Sequence, residues 1–173
     1  MIELLNIEAF DEVFEIMEKS FPKDEYRTYE GQRKLFGEPV YQLYGWKDSE
    51  GGPIKGFAAI WELEPVVFIE HLAVDPNIRN GGIGSKILHE LQQKLGKMMC
   101  LEVELPETEL AARRIGFYER NGFFLNHYPY IQPALATGQN EIPLMIMTTG
   151  KAVDEEEFLK IKELLYHEVY RVI

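Results

Sequence analysis

The sequence predicts an α/β fold: a mixed sheet of about seven strands flanked by helices on both faces, with an additional helix at the C-terminal end. Three observations predict it. Apolar runs of strand length recur along the whole chain, and segments whose apolar residues repeat at helical spacing lie between them. Between Val66 and Leu105 a strand, a helix and a second strand follow one another, which calls for a right-handed crossover to a parallel neighbour. The 173 residues contain no repeat, linker or low-complexity tract and read as a single domain, residues 1–173, long enough to bury a core.

Taken in order, "IELLNI" is a short first strand, and Glu8 to Ser20 is a helix with Phe10, Val13, Phe14 and Met17 on one face, ended by Pro22. A second short helix covers Tyr29 to Phe36, and Val40 to Trp46 alternates as a strand. Ile54 to Leu63 and Val66 to Val74, separated only by Glu64 and Pro65, form an antiparallel pair. Ile83, Ile87, Leu88, Leu91 and Leu95 then mark one amphipathic helix that Gly96 stops. Met98 to Leu105 is a fifth strand, and Glu109 to Asn121 is a helix capped by Gly122. "FFLNHYPYI" and "IPLMIMTT" supply two further strands, and a last helix begins in the acidic turn "DEEE", which suits the helix dipole.

Composition narrows the function. Eighteen Lys and Arg against 29 Asp and Glu give a formal charge of −11, which argues against nucleic acid, because that partner is held by basic residues on phosphates. An acidic field favours a cationic substrate or serves solubility alone. No run approaches the roughly 18 apolar residues of a membrane span. The N-terminal stretch lacks a basic leader region and reads as a folded beginning. Cys100, the single cysteine, lies in a strand-like run, so it reads as an inert buried thiol in a cytoplasmic protein.

The stretch "VDPNIRNGGIGSKIL" places Gly81, Gly82 and Gly84 where a strand ends and a helix begins. Free amides and the positive helix end at such a place can hold an anion, and missing Cβ atoms let it approach; equally, the glycines can serve only to make a tight turn. Neither the dinucleotide fingerprint GxGxxG nor the Walker loop GxxxxGK[ST] is complete here. What does stand is RxxGxG, Arg79 to Gly84, directly after "LAVDP", followed at a distance by "RRIGFYERNGFF", Arg113 to Phe124. In this order the two segments resemble the acetyl-coenzyme A signature and the FYxxxGF segment of the GNAT acetyltransferase superfamily, and the predicted sheet is GNAT-like.

That resemblance implies an acetyl-CoA-dependent N-acetyltransferase that passes an acetyl group to the primary amine of a small molecule or peptide by direct attack in a ternary complex. The alternative is a non-catalytic acyl-CoA-binding sensor or interaction module on the same fold. The pyrophosphate would lie on the amides of Asn80, Gly81, Gly82, Ile83, Gly84 and Ser85, with Arg79 and Lys86 adding charge and Arg113, Arg114 and Arg120 near the ribose phosphate. The pantetheine arm would pair with Leu72, Ala73 and Val74 where the fourth and fifth strands splay, and the Val74 amide would stabilise the oxyanion. Tyr118, beside the thioester, matches the tyrosine that serves as general acid. Alternatively it is a buried anchor on the face of Ala111 and Ile115.

For the base, Glu70 and Glu102 both fit, and Glu70 is slightly preferred as a carboxylate within an apolar strand. Unbroken alternation puts Glu70 on one face with Leu72 and Val74, and Glu102 with Cys100 and Glu104. His71 is a further candidate for the base, against the more ordinary reading of a hydrogen-bonded core histidine. Many family members carry asparagine where this chain has Ala111, so that pantetheine contact is lost or supplied elsewhere. The acceptor would meet Ser20 to Gln32 and His127 to Asn140, with Glu25, Tyr26, Arg27 and Tyr130 as candidate contacts: aromatics and carboxylates for an ammonium, or Arg27 for an amino-acid carboxylate. No metal is implied, and a homodimer is compatible with the reading.

Overall fold

The computed structural model describes residues 1–78 and 81–172. Seven strands, β1 (Ile2–Leu4), β2 (Tyr41–Trp46), β3 (Gly56–Glu62), β4 (Val66–Val74), β5 (Met98–Glu104), β6 (Phe123–Gln132) and β7 (Ile142–Thr149), form one sheet in the order β1-β2-β3-β4-β5-β7-β6. All neighbours are antiparallel except β4 and β5, which the crossover helix makes parallel. The helices are α1 (Phe10–Ser20), α2 (Tyr29–Lys34), α3 (Ile83–Leu95), α4 (Glu109–Arg120) and α5 (Glu155–Leu164), which continues as a wide π-helical turn over Leu165–Tyr170.

Both faces of the sheet are covered because each helix has one apolar stripe to bury. Phe10, Val13, Phe14 and Met17 of α1 and Phe158, Ile161, Leu165 and Val169 of the C-terminal helix pack on one face with Trp61, Phe68 and Ile146. Ile83, Ile87, Leu88 and Leu91 of α3 and Ile115 of α4 pack on the other with Ile60, Val67, Ile69 and Met147. β3 and the first half of β4 are buried on both sides, which explains why they read as continuous apolar runs. Gly96 closes α3 in the left-handed region at φ +63°, as the sequence predicts, and Thr108 caps α4 by accepting from the Ala111 N–H at 3.0 Å.

One expectation fails at β4. Ala59 faces His71 but Ile60 faces Ile69, so Glu70 is the extra residue of a β-bulge. The bulge resets the alternation. Glu70 therefore lies on the face of Phe68, bonded to Trp61, instead of with Leu72 and Val74, which belong to the opposite core. Glu70 and His71, adjacent in sequence, point to the same side of the sheet and approach within 3.7 Å.

Candidate active site

β4 and β5 are paired only from Val66 opposite Met98 to Ile69 opposite Leu101. Beyond that point β4 stays with β3 as far as Val74 and β5 stays with β7 as far as Glu104, so the sheet forks. The β-bulge lies at the apex of the fork. Asp75 N–H donates to Lys55 O on the β3 side at 2.8 Å, and alternation from there turns the N–H groups of Leu72 and Val74 into the gap. An edge of main-chain donors and acceptors thus faces a cleft instead of a strand.

The cleft has a volume of about 660 Å³ and is lined by Leu72, Ala73 and Val74 on one side, Glu102 to Glu104 on the other, and Gly81 to Gly84 at its far end. Gly82 is the N-cap of α3, in the left-handed region at φ +62°, and offers no side chain to cap the helix. The first intrahelical bond comes from Lys86 N–H to Gly82 O, so the amides of Ile83, Gly84 and Ser85 precede the helical ladder. Among the described residues, a Cβ at Gly82 would meet nothing within 4 Å, leaving room for a ligand above these amides. Arg79 and Asn80 lie outside the described residues. Lys86 stands 5.8 Å from the Trp46 ring, Arg113 is paired with Glu109 at 2.9 Å, and Arg114 with Glu104 at 3.0 Å. Both arginines line the cleft.

Tyr118 comes from α4 and also lines the cleft. Its ring packs edge-on against Phe117 and Phe123, and burial, opposed by Arg114, pushes its phenol up to about 12. It is therefore protonated at neutral pH and can act as a proton donor. Ala111, two turns earlier on α4, is buried.

The two candidate bases differ in their surroundings. Glu70 accepts from Trp61 Nε1 at 2.6 Å and is ion-paired with Arg27. Burial pushes its carboxyl up, but the Arg27 guanidinium beside it outweighs that and holds it below the usual range. Glu102 accepts from the Tyr130 hydroxyl at 2.5 Å and from the Tyr170 hydroxyl at 2.7 and 2.8 Å. Burial raises it to about 7, with the two tyrosines opposing. Glu102 lines the main cleft and a small inner cavity of about 70 Å³ at the fork; Glu70 lines only the inner one. His71 Nε2 lies 2.6 Å from the Glu25 carbonyl, an acceptor, so Nε2 carries the proton and Nδ1 the lone pair. Burial, opposed by Glu70, keeps this ring below its ordinary value and neutral.

Of the acceptor-side residues, Glu25 lines the cleft, and burial followed by Glu104 raises its carboxyl. Tyr26 turns into the core against Phe14, Arg27 is committed to Glu70, and Tyr130 reaches the site only through Glu102. The two acceptor segments do meet: Gln139 donates to the carbonyls of Lys23 and Tyr26 at 2.9 Å, and Asn140 to Asp24 at 3.0 Å. Sequence reasoning missed Trp61, Tyr170 and Gln32. Fully buried Gln32 accepts from Arg27 N–H at 3.2 Å and so seats Arg27 beside Glu70. A polar residue in the buried stripe of a short helix was the only signal for it.

The fork, the amide edge and the glycine turn all fall within residues 7–123, the span matched by the model of the acetyltransferase (GNAT) family. A protein of Bacteroides thetaiotaomicron, provisionally named an acetyltransferase of the GNAT family, is similar at 30% identity and a TM-score of 0.91, over 100% of this chain and 99% of that one. YjbC of Bacillus subtilis (strain 168), provisionally named an acetyltransferase, is 26% identical over 162 residues, 91% of this chain and 80% of that protein. The ribosomal-protein-S18-alanine N-acetyltransferase of Escherichia coli shares the fold, with 21% identity and a TM-score of 0.64 over 90% of this chain and 96% of that one. A fork that leaves main-chain donors beside a glycine-headed helix is what this match predicts, and the chain belongs to the GNAT family of acetyltransferases.

Proposed function

We propose that the protein is an acetyl-CoA-dependent N-acetyltransferase acting on a primary amine by direct attack in a ternary complex. One observation carries the reading: the amide edge of Leu72–Val74, the glycine turn, Tyr118 and Glu102 line a single cleft. Acetyl-CoA supplies the activated acyl group as a thioester. Its pyrophosphate suits the amides of Gly81 to Ser85, which bind an anion without basic side chains and so accommodate the charge of −11. Arg79 and Asn80 belong to the same proposed cradle.

Glu102 is the proposed base. A carboxyl near about 7 is poised to take a proton from an ammonium at neutral pH, whereas Glu70, held ionised by Arg27, is a weak acceptor. Glu70 instead fixes the bulge at the apex. The Val74 N–H is positioned to stabilise an oxyanion, and Tyr118 to return a proton to the departing thiolate. Glu25, which lines the cleft with Glu102 and Glu104, favours a cationic acceptor. Tyr26, Arg27 and Tyr130 shape that pocket from behind its wall.

A thiol-release assay with acetyl-CoA across polyamines, aminoglycosides, amino acids and peptide N-termini tests the proposal. Amine-dependent release is expected. Binding of coenzyme A with no release from any amine would instead indicate a sensor or interaction module.

A further inference from the structure

Glu102 is held by two hydroxyls from distant parts of the chain. Tyr130 reaches it from β6, and Tyr170, 68 residues along the sequence, from the last turn of the C-terminal helix. The path of that helix is what makes the second contact. After Leu164 the α-helix widens into the π turn, a departure from regular geometry that is frequent at functional sites. Leu165 and Val169 stay buried in the core through the turn, while Tyr166 donates to the carbonyl of Ile131, next to Tyr130. The end is then closed twice: Val172 N–H donates to Tyr166 O at 2.9 Å, and Arg171, in the left-handed region at φ 55°, pairs with Glu38 at 2.7 Å.

We infer that Tyr170, delivered by this π turn, acts with Tyr130 as a pair of positioning residues that fix the Glu102 carboxylate in the cleft and favour its ionised form. The inference rests on Glu102 being the base. Phenolic O–H groups donate to a carboxylate, and donation stabilises its charged state. A carboxylate has about four acceptor positions. The two hydroxyls occupy three at most, leaving at least one for a substrate ammonium or a water. The opposing influences are Glu70 from β4, which disfavours the charge, and Arg27, which favours it. Cys100 lies on the same strand, and Glu25, His71, Glu104 and Tyr118 line the inner cavity beside Glu102. The C-terminal helix is thus part of the catalytic apparatus although it lines neither the main cleft nor the inner cavity.

The test uses the full chain with Tyr170→Phe and, independently, Tyr130→Phe. The titration of Glu102 is followed by carbon-13 NMR of glutamate-labelled protein, with Glu102→Gln identifying the resonance, and in parallel the pH dependence of kcat/KM is recorded. In each variant the carboxyl midpoint and the acid limb of the rate profile should both rise by about one pH unit, with KM for acetyl-CoA unchanged. An unmoved carboxyl midpoint in both variants overturns the inference and leaves Glu102 as base untouched. A midpoint that rises while the rate profile stays put supports the positioning contact and overturns the assignment of Glu102 as base. Should Tyr170→Phe fail to fold, Tyr130→Phe with the same two readouts decides between these outcomes.

Discussion

Replacing Glu102 with glutamine should make the protein more stable and less active, and the stability gain should depend on pH. Burial holds this carboxyl near about 7 against an ordinary 4.5. At roughly 1.4 kcal/mol per pH unit, the gap corresponds to about 3 kcal/mol. The sign follows from the direction. A raised folded-state pKa means the fold favours the protonated form, so its contribution is fully present below about 4.5 and is lost as pH rises through about 7. Glutamine never acquires the charge. Glu102→Gln should therefore match the parent near pH 4.5 and exceed it by about 1–3 kcal/mol at pH 8, roughly 3–9 °C in Tm for a chain of this size. Turnover at pH 8 should fall by about 10²–10⁴-fold. Thermal unfolding at several pH values, paired with the thiol-release rate, measures both. A Tm difference that does not vary with pH, or a glutamine variant that is the less stable at pH 8, would refute the reasoning.

Gly82→Glu should abolish coenzyme A binding in calorimetry, because a bulky anion would stand over the helix-end amides, and Gly82→Ala should cost only about 1 kcal/mol of stability for the positive φ. Retained affinity in the glutamate variant would remove the turn as the phosphate site. Tyr118→Phe should lower kcat by about 10²-fold or more with KM for acetyl-CoA unchanged, and an undiminished rate would discard it as the acid. Arg27→Met should destabilise by about 3–5 kcal/mol in chemical denaturation, since it strands a buried carboxylate, and Glu70→Gln added to it should restore much of the loss.

Much of this architecture was legible because it rests on local rules. β4 was bounded correctly at Val66 and Val74, since apolar residues fill it up to the Asp-Pro that ends it, and α3 and α4 follow from their stripes and glycine stops. The cleft-lining Gly81 to Gly84 and Tyr118 were found through their motifs. The grouping of Glu70 with Leu72 and Val74 fails, because an alternation argument assumes an unbroken ladder and a one-residue bulge leaves no mark in a single sequence. Tyr26 looked like an acceptor contact because a loop aromatic and a core aromatic have the same letter. Tyr170 was invisible for a different reason. Its role depends on the helix widening at Leu165, and a regular helix would present it on another side.

The glycine-rich turn also does something unrelated to anions. A Cβ at Gly84 would come within 3.1 Å of Phe117 Cζ, closer than ordinary contact, so a side chain here would require the Phe117 ring to give way. Phe117 is the immediate neighbour of Tyr118. Gly82 and Gly84 are therefore separable in purpose: one is clear of the other described atoms above the amides, and the other leaves room for an aromatic ring of the helix that carries the proposed proton donor. A methyl group at 84 would press on the Phe117 ring by a few tenths of an ångström, a strain that reaches the proposed proton donor through its neighbour in sequence.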